Sequence, residues 1–116
     1  MDNELQKMLK SFYKDLEKSC EAYENNENDD FYEENEIQSL YDYVTDSYDV
    51  QYTKRLNGDF VCCSVCIALG GPNIYIDTDN NRLEGYWGSQ VEYLYFKDYH
   101  IANIIDSIVE ELADCY

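Results

Sequence analysis

Between Ser19 and Thr53 the chain places eleven carboxylates, Glu21, Glu24, Glu27, Asp29, Asp30, Glu33, Glu34, Glu36, Asp42, Asp46 and Asp49, and not one Lys or Arg. Tyrosines are interleaved with them, most densely at Tyr23-Glu24, Tyr32-Glu33-Glu34, Tyr41-Asp42-Tyr43 and Tyr48-Asp49. Acids without bases can present a continuous negative field to a cationic partner, and tyrosine supplies rigid, amphipathic contact area of the type favoured at interface hot spots. Double-stranded nucleic acid displays about one negative charge per 1.7 Å of axis and is gripped through Lys and Arg. A protein surface of this composition offers a comparable field to the same cationic groove. Like charges at helical spacing cost a few tenths of a kcal/mol per pair, so a helix selected only for folding would intersperse lysines. The bland alternative is a solvated acidic face over half-buried tyrosines. The candidate partner-binding residues are Glu24, Glu27, Asp29, Asp30, Glu33, Glu34, Glu36, Asp42, Asp46 and Asp49, with Tyr32 and Tyr43.

Other chemistry is sparse. One His, no Gly-x-Ser-x-Gly elbow, no phosphate-binding glycine loop and few cations leave little to stabilise an oxyanion or hold an anionic substrate, so no catalytic residue and no cofactor are expected. Asp77-x-Asp79-x-Asn81 has the spacing of the start of a calcium loop, but Arg82 stands where Gly is needed and the downstream bidentate Glu is missing, so a turn with solvated acids is expected. Cys20, Cys62, Cys63, Cys66 and Cys115 are odd in number, and Cys62-Cys63-x-x-Cys66 lies inside an apolar run. With a single His for a fourth ligand and no secretory signal, these read as reduced, buried thiols of a cytoplasmic protein, without metal. No run approaches the roughly 18 apolar residues of a membrane span.

The elements that must position these residues follow from periodicity. A helix is expected from Met1 to about Glu24, with Leu5, Met8, Leu9, Phe12, Leu16, Cys20 and Tyr23 on its apolar side and Lys7, Lys10, Lys14 and Lys18 on the other. The polar stretch 25–30 reads as a loop, and a second helix is expected over roughly Phe31 to Thr45 with Ile37, Leu40, Tyr41 and Val44 inward. Strands follow at 50–56, 60–69, 73–78, 83–87 and 90–96. Asn57-Gly58 is the strongest hairpin signal, and Phe60–Leu69 reads as a central strand covered on both faces. A last helix, capped by Asp98, carries Ile101, Ile104, Ile105, Ile108, Val109 and Leu112. The fold class is therefore α+β: residues 1–116 as one acidic domain, an antiparallel sheet of four to five strands with N-terminal helices and a C-terminal helix packed on it. Helices on one sheet face would leave Tyr52, Tyr75, Tyr86, Trp87 and one of Tyr93 or Tyr95 on the other.

The segment Gly70-Gly71-Pro72-Asn73-Ile74-Tyr75-Ile76-Asp77-Thr78, followed by Gly85-Tyr86-Trp87-Gly88 and an acidic, aromatic C-terminal helix, resembles a group of small acidic proteins carried by phages and mobile elements of bacteria. The resemblance spans roughly residues 48–116. Such elements also encode acidic inhibitors of host defence, the anti-CRISPR and anti-restriction proteins, several of which resemble DNA in charge; this step rests on context and charge, and the motif transfers no site residue. What it implies is a non-enzymatic, cytoplasmic anti-CRISPR protein of DNA-mimic type that occupies the DNA-binding channel of a CRISPR–Cas effector of Cas9 or Cascade type. Its partner would be a cationic nucleic-acid-binding protein, with no direct contact to nucleic acid and none to membrane. The alternatives are an anti-restriction inhibitor, or a structural or regulatory adaptor of a mobile element that uses a tyrosine-rich sheet face for homodimerisation or protein binding.

Overall fold

The computed structural model describes residues 3–115. Helix α1 (Glu4–Glu24) starts where the Asn3 side chain accepts the Gln6 N–H at 2.9 Å. Its first two expected residues, Met1 and Asp2, lie outside the described ones. Two short helices follow, α2 (Asp29–Glu34) and α3 (Leu40–Thr45), then strands β1 (Asp49–Lys54), β2 (Phe60–Ala68), β3 (Asn73–Asp77), β4 (Arg82–Trp87) and β5 (Gln90–Tyr95), and helix α4 (His100–Asp114). The strands form one antiparallel meander in the order β1-β2-β3-β4-β5. This is the expected α+β arrangement. Helices α1, α3 and α4 pack on one face of the sheet, and among the described residues no helix packs on the other.

Alternation in the strands fixes the core. Val65, Ile74, Ile76 and Leu83 point to the helices and are fully buried against Leu9, Leu16, Leu40 and Ile105. Gly85 continues that face where α1 comes closest: a Cβ there would stand 2.8 Å from Leu5 Cδ1 and 3.2 Å from Leu9 Cδ2. Only glycine lets the helix settle at that depth.

Five expectations are corrected. The second helix is two helices, because Glu36 adopts a left-handed φ of 53° and the chain closes a Schellman turn, with Ile37 N–H on the Tyr32 carbonyl and Glu36 N–H on that of Glu33. The break resets the helical phase, so in α3 it is Leu40, Tyr43 and Val44 that face inward, while Tyr41 is exposed. Tyr23 is likewise exposed, and Ser19 and Ala22 take its place inside. Strand β2 is neither central nor covered on both faces; the middle strand is β3, and the apolar run of β2 leaves Cys62, Ser64 and Ile67 half-buried. The register, finally, puts Tyr52 opposite Cys63 and Trp87 opposite Gln90, both on the helix side, whereas Tyr93 and Tyr95 both lie on the open side. The N-cap of α4 is Tyr99, with no side-chain cap bond, although Asp98 Oδ1 does accept the His100 N–H at 3.1 Å.

Candidate functional site: an acidic arc and an open sheet face

The arc is built from the end of α1, helices α2 and α3, and the turns that join them. Asn28 accepts the Phe31 N–H to start α2, and Ser39 accepts the Asp42 N–H to start α3, so the polar residues between acids serve as caps. The linker between α2 and α3 is tied down from beneath: the buried Ser19 hydroxyl is shared between the carbonyls of Gln38 and, at 3.0 Å, Asp15. Phe31 and Ile37 line a groove of about 310 Å³ against α1, together with Ala22, Glu21 and Glu27.

On this scaffold all eleven carboxylates of the 19–53 window are exposed. Among the described residues, no Lys or Arg forms an ion pair with any of them. His100 Nδ1 lies 3.2 Å from Glu24 Oε2 at a site open to solvent, and such an exposed contact contributes little. Lys18 borders the groove next to Glu21 and Glu27 and pairs with neither. The fold also concentrates the field. Tyr32 is half-buried, and burial, then the carboxylates of Glu27, Asp29 and Asp42, hold its phenol above the ordinary value. Those three acids, separated by up to fifteen positions in sequence, thus act on one hydroxyl.

Of the twelve sequence-derived contact residues, ten are available at this surface; Asp49 is exposed on β1, where it alternates with the helix-facing Val50 and so lies on the open sheet side, and Tyr43 is not available. Tyr43 is 8% exposed, and burial, with Asp15 nearby, pushes its phenol up to about 12. It is a core residue; the tyrosine that α3 shows to solvent is Tyr41. The sequence list also omitted Glu21, which the groove brings alongside Glu27.

The open sheet face differs in chemistry. Arg82 on β4 lies between Asp77 on β3 and Tyr95 on β5, and donates to Glu84 Oε2 through Nη2 at 2.7 Å and Nε at 3.0 Å. It donates as well to the Tyr95 hydroxyl at 2.8 Å, stands 3.7 Å from Asp77 and stacks 3.8 Å from the centre of the Tyr93 ring. Asp77 is buried rather than the solvated acid expected: its Oδ1 accepts the N–H groups of Asp79 and Asn80 and its Oδ2 the Asn80 side chain, so it caps its own turn.

The cysteines are free thiols in three settings. Cys20, Cys63 and Cys66 are buried as expected, whereas Cys62 is half-buried and Cys115 exposed. Cys63 Sγ donates to Asp106 Oδ1 at 3.3 Å, and burial, then the Asp106 charge, push its thiol well up. Cys20 is pushed up to about 12 by burial and by its bond to Glu24. Thiols held protonated in this way are poor nucleophiles.

No protein-family model, curated protein or solved structure matches the chain. Among the described residues no helix is long and apolar enough to cross a membrane.

Proposed function

We propose that the protein is a cytoplasmic inhibitor of a nucleic-acid-binding bacterial defence complex, an anti-CRISPR protein of DNA-mimic type whose acidic arc occupies the DNA channel of a Cas9- or Cascade-type effector. The observation that carries this reading is the exposure of all eleven carboxylates of the 19–53 window, with no Lys or Arg paired to them among the described residues. A net charge of -17 exceeds the magnitude of about 2–8 that keeps a small domain soluble. Eleven of the 25 acids lie in the 19–53 window, which holds no Lys or Arg. The mechanism is occupancy: the arc meets Lys and Arg that would otherwise hold phosphates, displaces their counterions and excludes duplex from the channel.

The test is competition on purified effectors of the two types. Inhibitor and target duplex should bind exclusively, and the affinity should fall as salt rises. The protein itself should not be retained on DNA. Simultaneous binding of inhibitor and duplex, or an affinity indifferent to salt, would refute the mimic. The bare sheet face with Tyr93 and Tyr95 exposed supports a second reading, an adaptor that dimerises or binds protein through that face. Its complex should be largely insensitive to salt, and sedimentation of the protein alone distinguishes the dimer.

A further inference from the structure

The register gives Glu84 a tyrosine on each side: Tyr93 across from it on β5 and Tyr75 across from it on β3. On the β5 side the space is filled. Arg82 stacks there on Tyr93 and bonds Glu84 through Oε2. On the β3 side it is open, an indentation of about 390 Å³ lined by Ser64, Asn73, Tyr75, Glu84 and Tyr86. The Tyr75 and Tyr86 rings meet edge to face, with centres 5.9 Å apart and planes at 74°. An edge-to-face contact covers one of the four ring faces and leaves the others available. No Lys or Arg lines the indentation, and the Oε1 atom of Glu84 has no partner among the described residues.

We infer that the indentation between Tyr75, Tyr86 and Glu84 is a binding site for a guanidinium group, an arginine side chain of a partner protein. Its chemistry repeats that of the filled half in two respects: an aromatic face for stacking and a carboxylate for the fork of N–H donors. Burial, with the Glu84 charge among the further causes, holds both the Tyr75 and Tyr86 phenols above the ordinary value, so both remain protonated. The occupant is argued from complementarity of charge. The chain carries -17, and Arg82, the cation of this face among the described residues, is already engaged with Glu84, Asp77 and Tyr95. A planar cation serves both the rings and the Oε1 atom that Arg82 does not engage, whereas an ammonium stacks less well and a neutral group brings no charge to the carboxylate. This site lies on the opposite side of the sheet from the helix layer, and the inference does not rest on the mimic reading.

The experiment is a titration of the labelled protein, followed by amide nuclear magnetic resonance, with capped Gly-Arg-Gly and its lysine and citrulline counterparts. The arginine peptide should shift the amides of Ser64, Tyr75, Glu84 and Tyr86 saturably, the lysine peptide less, and the isosteric but neutral citrulline peptide not at all. Tyr86→Leu, which keeps an apolar side chain at a half-buried strand position, and Tyr86→Ala should each weaken the arginine response by about fivefold. Dispersion of the remaining amide signals shows that they are folded. Neutralising Glu33, Glu34 and Glu36 to Gln should leave the response in place. Shifts confined to residues 21–49, an equal response to citrulline, or indifference to both Tyr86 variants would overturn the site.

Discussion

The acidic arc and the open sheet face are both rich in carboxylate and tyrosine, yet they treat charge in opposite ways. On the sheet face Asp77 and Glu84 are partly buried and share Arg82, which is itself clasped by Tyr93 and Tyr95. Removing a member there leaves a poorly solvated charge without its partner, which costs stability. On the arc the acids stand in water and, among the described residues, none pairs with Lys or Arg; Glu24 with its Cys20 and His100 contacts apart, their repulsion acts against the fold. The difference separates acids that maintain structure from acids free to be used at an interface.

The largest effect expected is on the arc. Reversing Glu33, Glu34 and Glu36 to Lys changes the charge by two at each site, from -17 to -11. Affinity for a cationic effector should fall on the order of 100-fold, within the range over which charge steers association. The melting temperature should hold or rise. A variant that inhibits as well as the parent would reduce the arc to a solvated face. The reverse pattern belongs to Arg82: Arg82→Leu should lower stability by about 2 kcal/mol in urea unfolding while leaving the affinity of the folded protein for the effector unchanged. Asp77→Asn would share that stability loss, because Asp77 caps its turn, so the exposed Asp79→Asn is the cleaner control for charge on this face.

Glu36→Gly sharpens the comparison within one residue. Glu36 occupies a left-handed C-terminal position after α2, φ 53°, where glycine carries no Cβ penalty. The substitution should raise stability by about 1 kcal/mol and, with one charge lost, weaken binding only slightly. A loss of stability would show that the Glu36 side chain supports the fold.

The smallest effect concerns an acid within the helix layer. Burial holds the Asp106 carboxyl above its ordinary 3.8, against the opposing bonds from Thr78 and Cys63. The folded state therefore binds this proton more tightly than the unfolded chain, so Asp106 lowers stability at neutral pH and the loss is recovered as pH falls through the raised value toward 3.8. Asp106→Asn, which keeps an acceptor for the Cys63 thiol, should raise the melting temperature slightly at pH 7. The gain should shrink on acidification, and a gain constant with pH would assign it to packing instead.

Much of the fold was legible because its signals are local. Asn57-Gly58 gave the first hairpin, and Gly58 has the positive φ of 97° that the turn needs. The alternation of Ile74 and Ile76 gave the buried side of β3, and the spacing of isoleucines gave α4. The split of the second helix was not legible, because a Glu in the left-handed region carries no composition signal; the Schellman bonds of residues 32–37 and the Ser19 anchor under Gln38 stabilise it there. Within α3 the inward residues Leu40, Tyr43 and Val44 are spaced i, i+3, i+4, so Tyr43 belongs to the core and Tyr41 to the surface.

The sequence by itself determined that the arc would be uncompensated: with no cation between Lys18 and Lys54, no local pairing could neutralise it, and charge is a property of composition. Tertiary structure alone decided that every one of those acids faces water, that Glu27, Asp29 and Asp42 converge on Tyr32, and that Glu84 sits between Tyr75 and Tyr93. These depend on helix phase and strand register. A one-residue change in either turns a side chain from the surface to the core, and only the packing of the whole sheet against α1, α3 and α4 selects between the two.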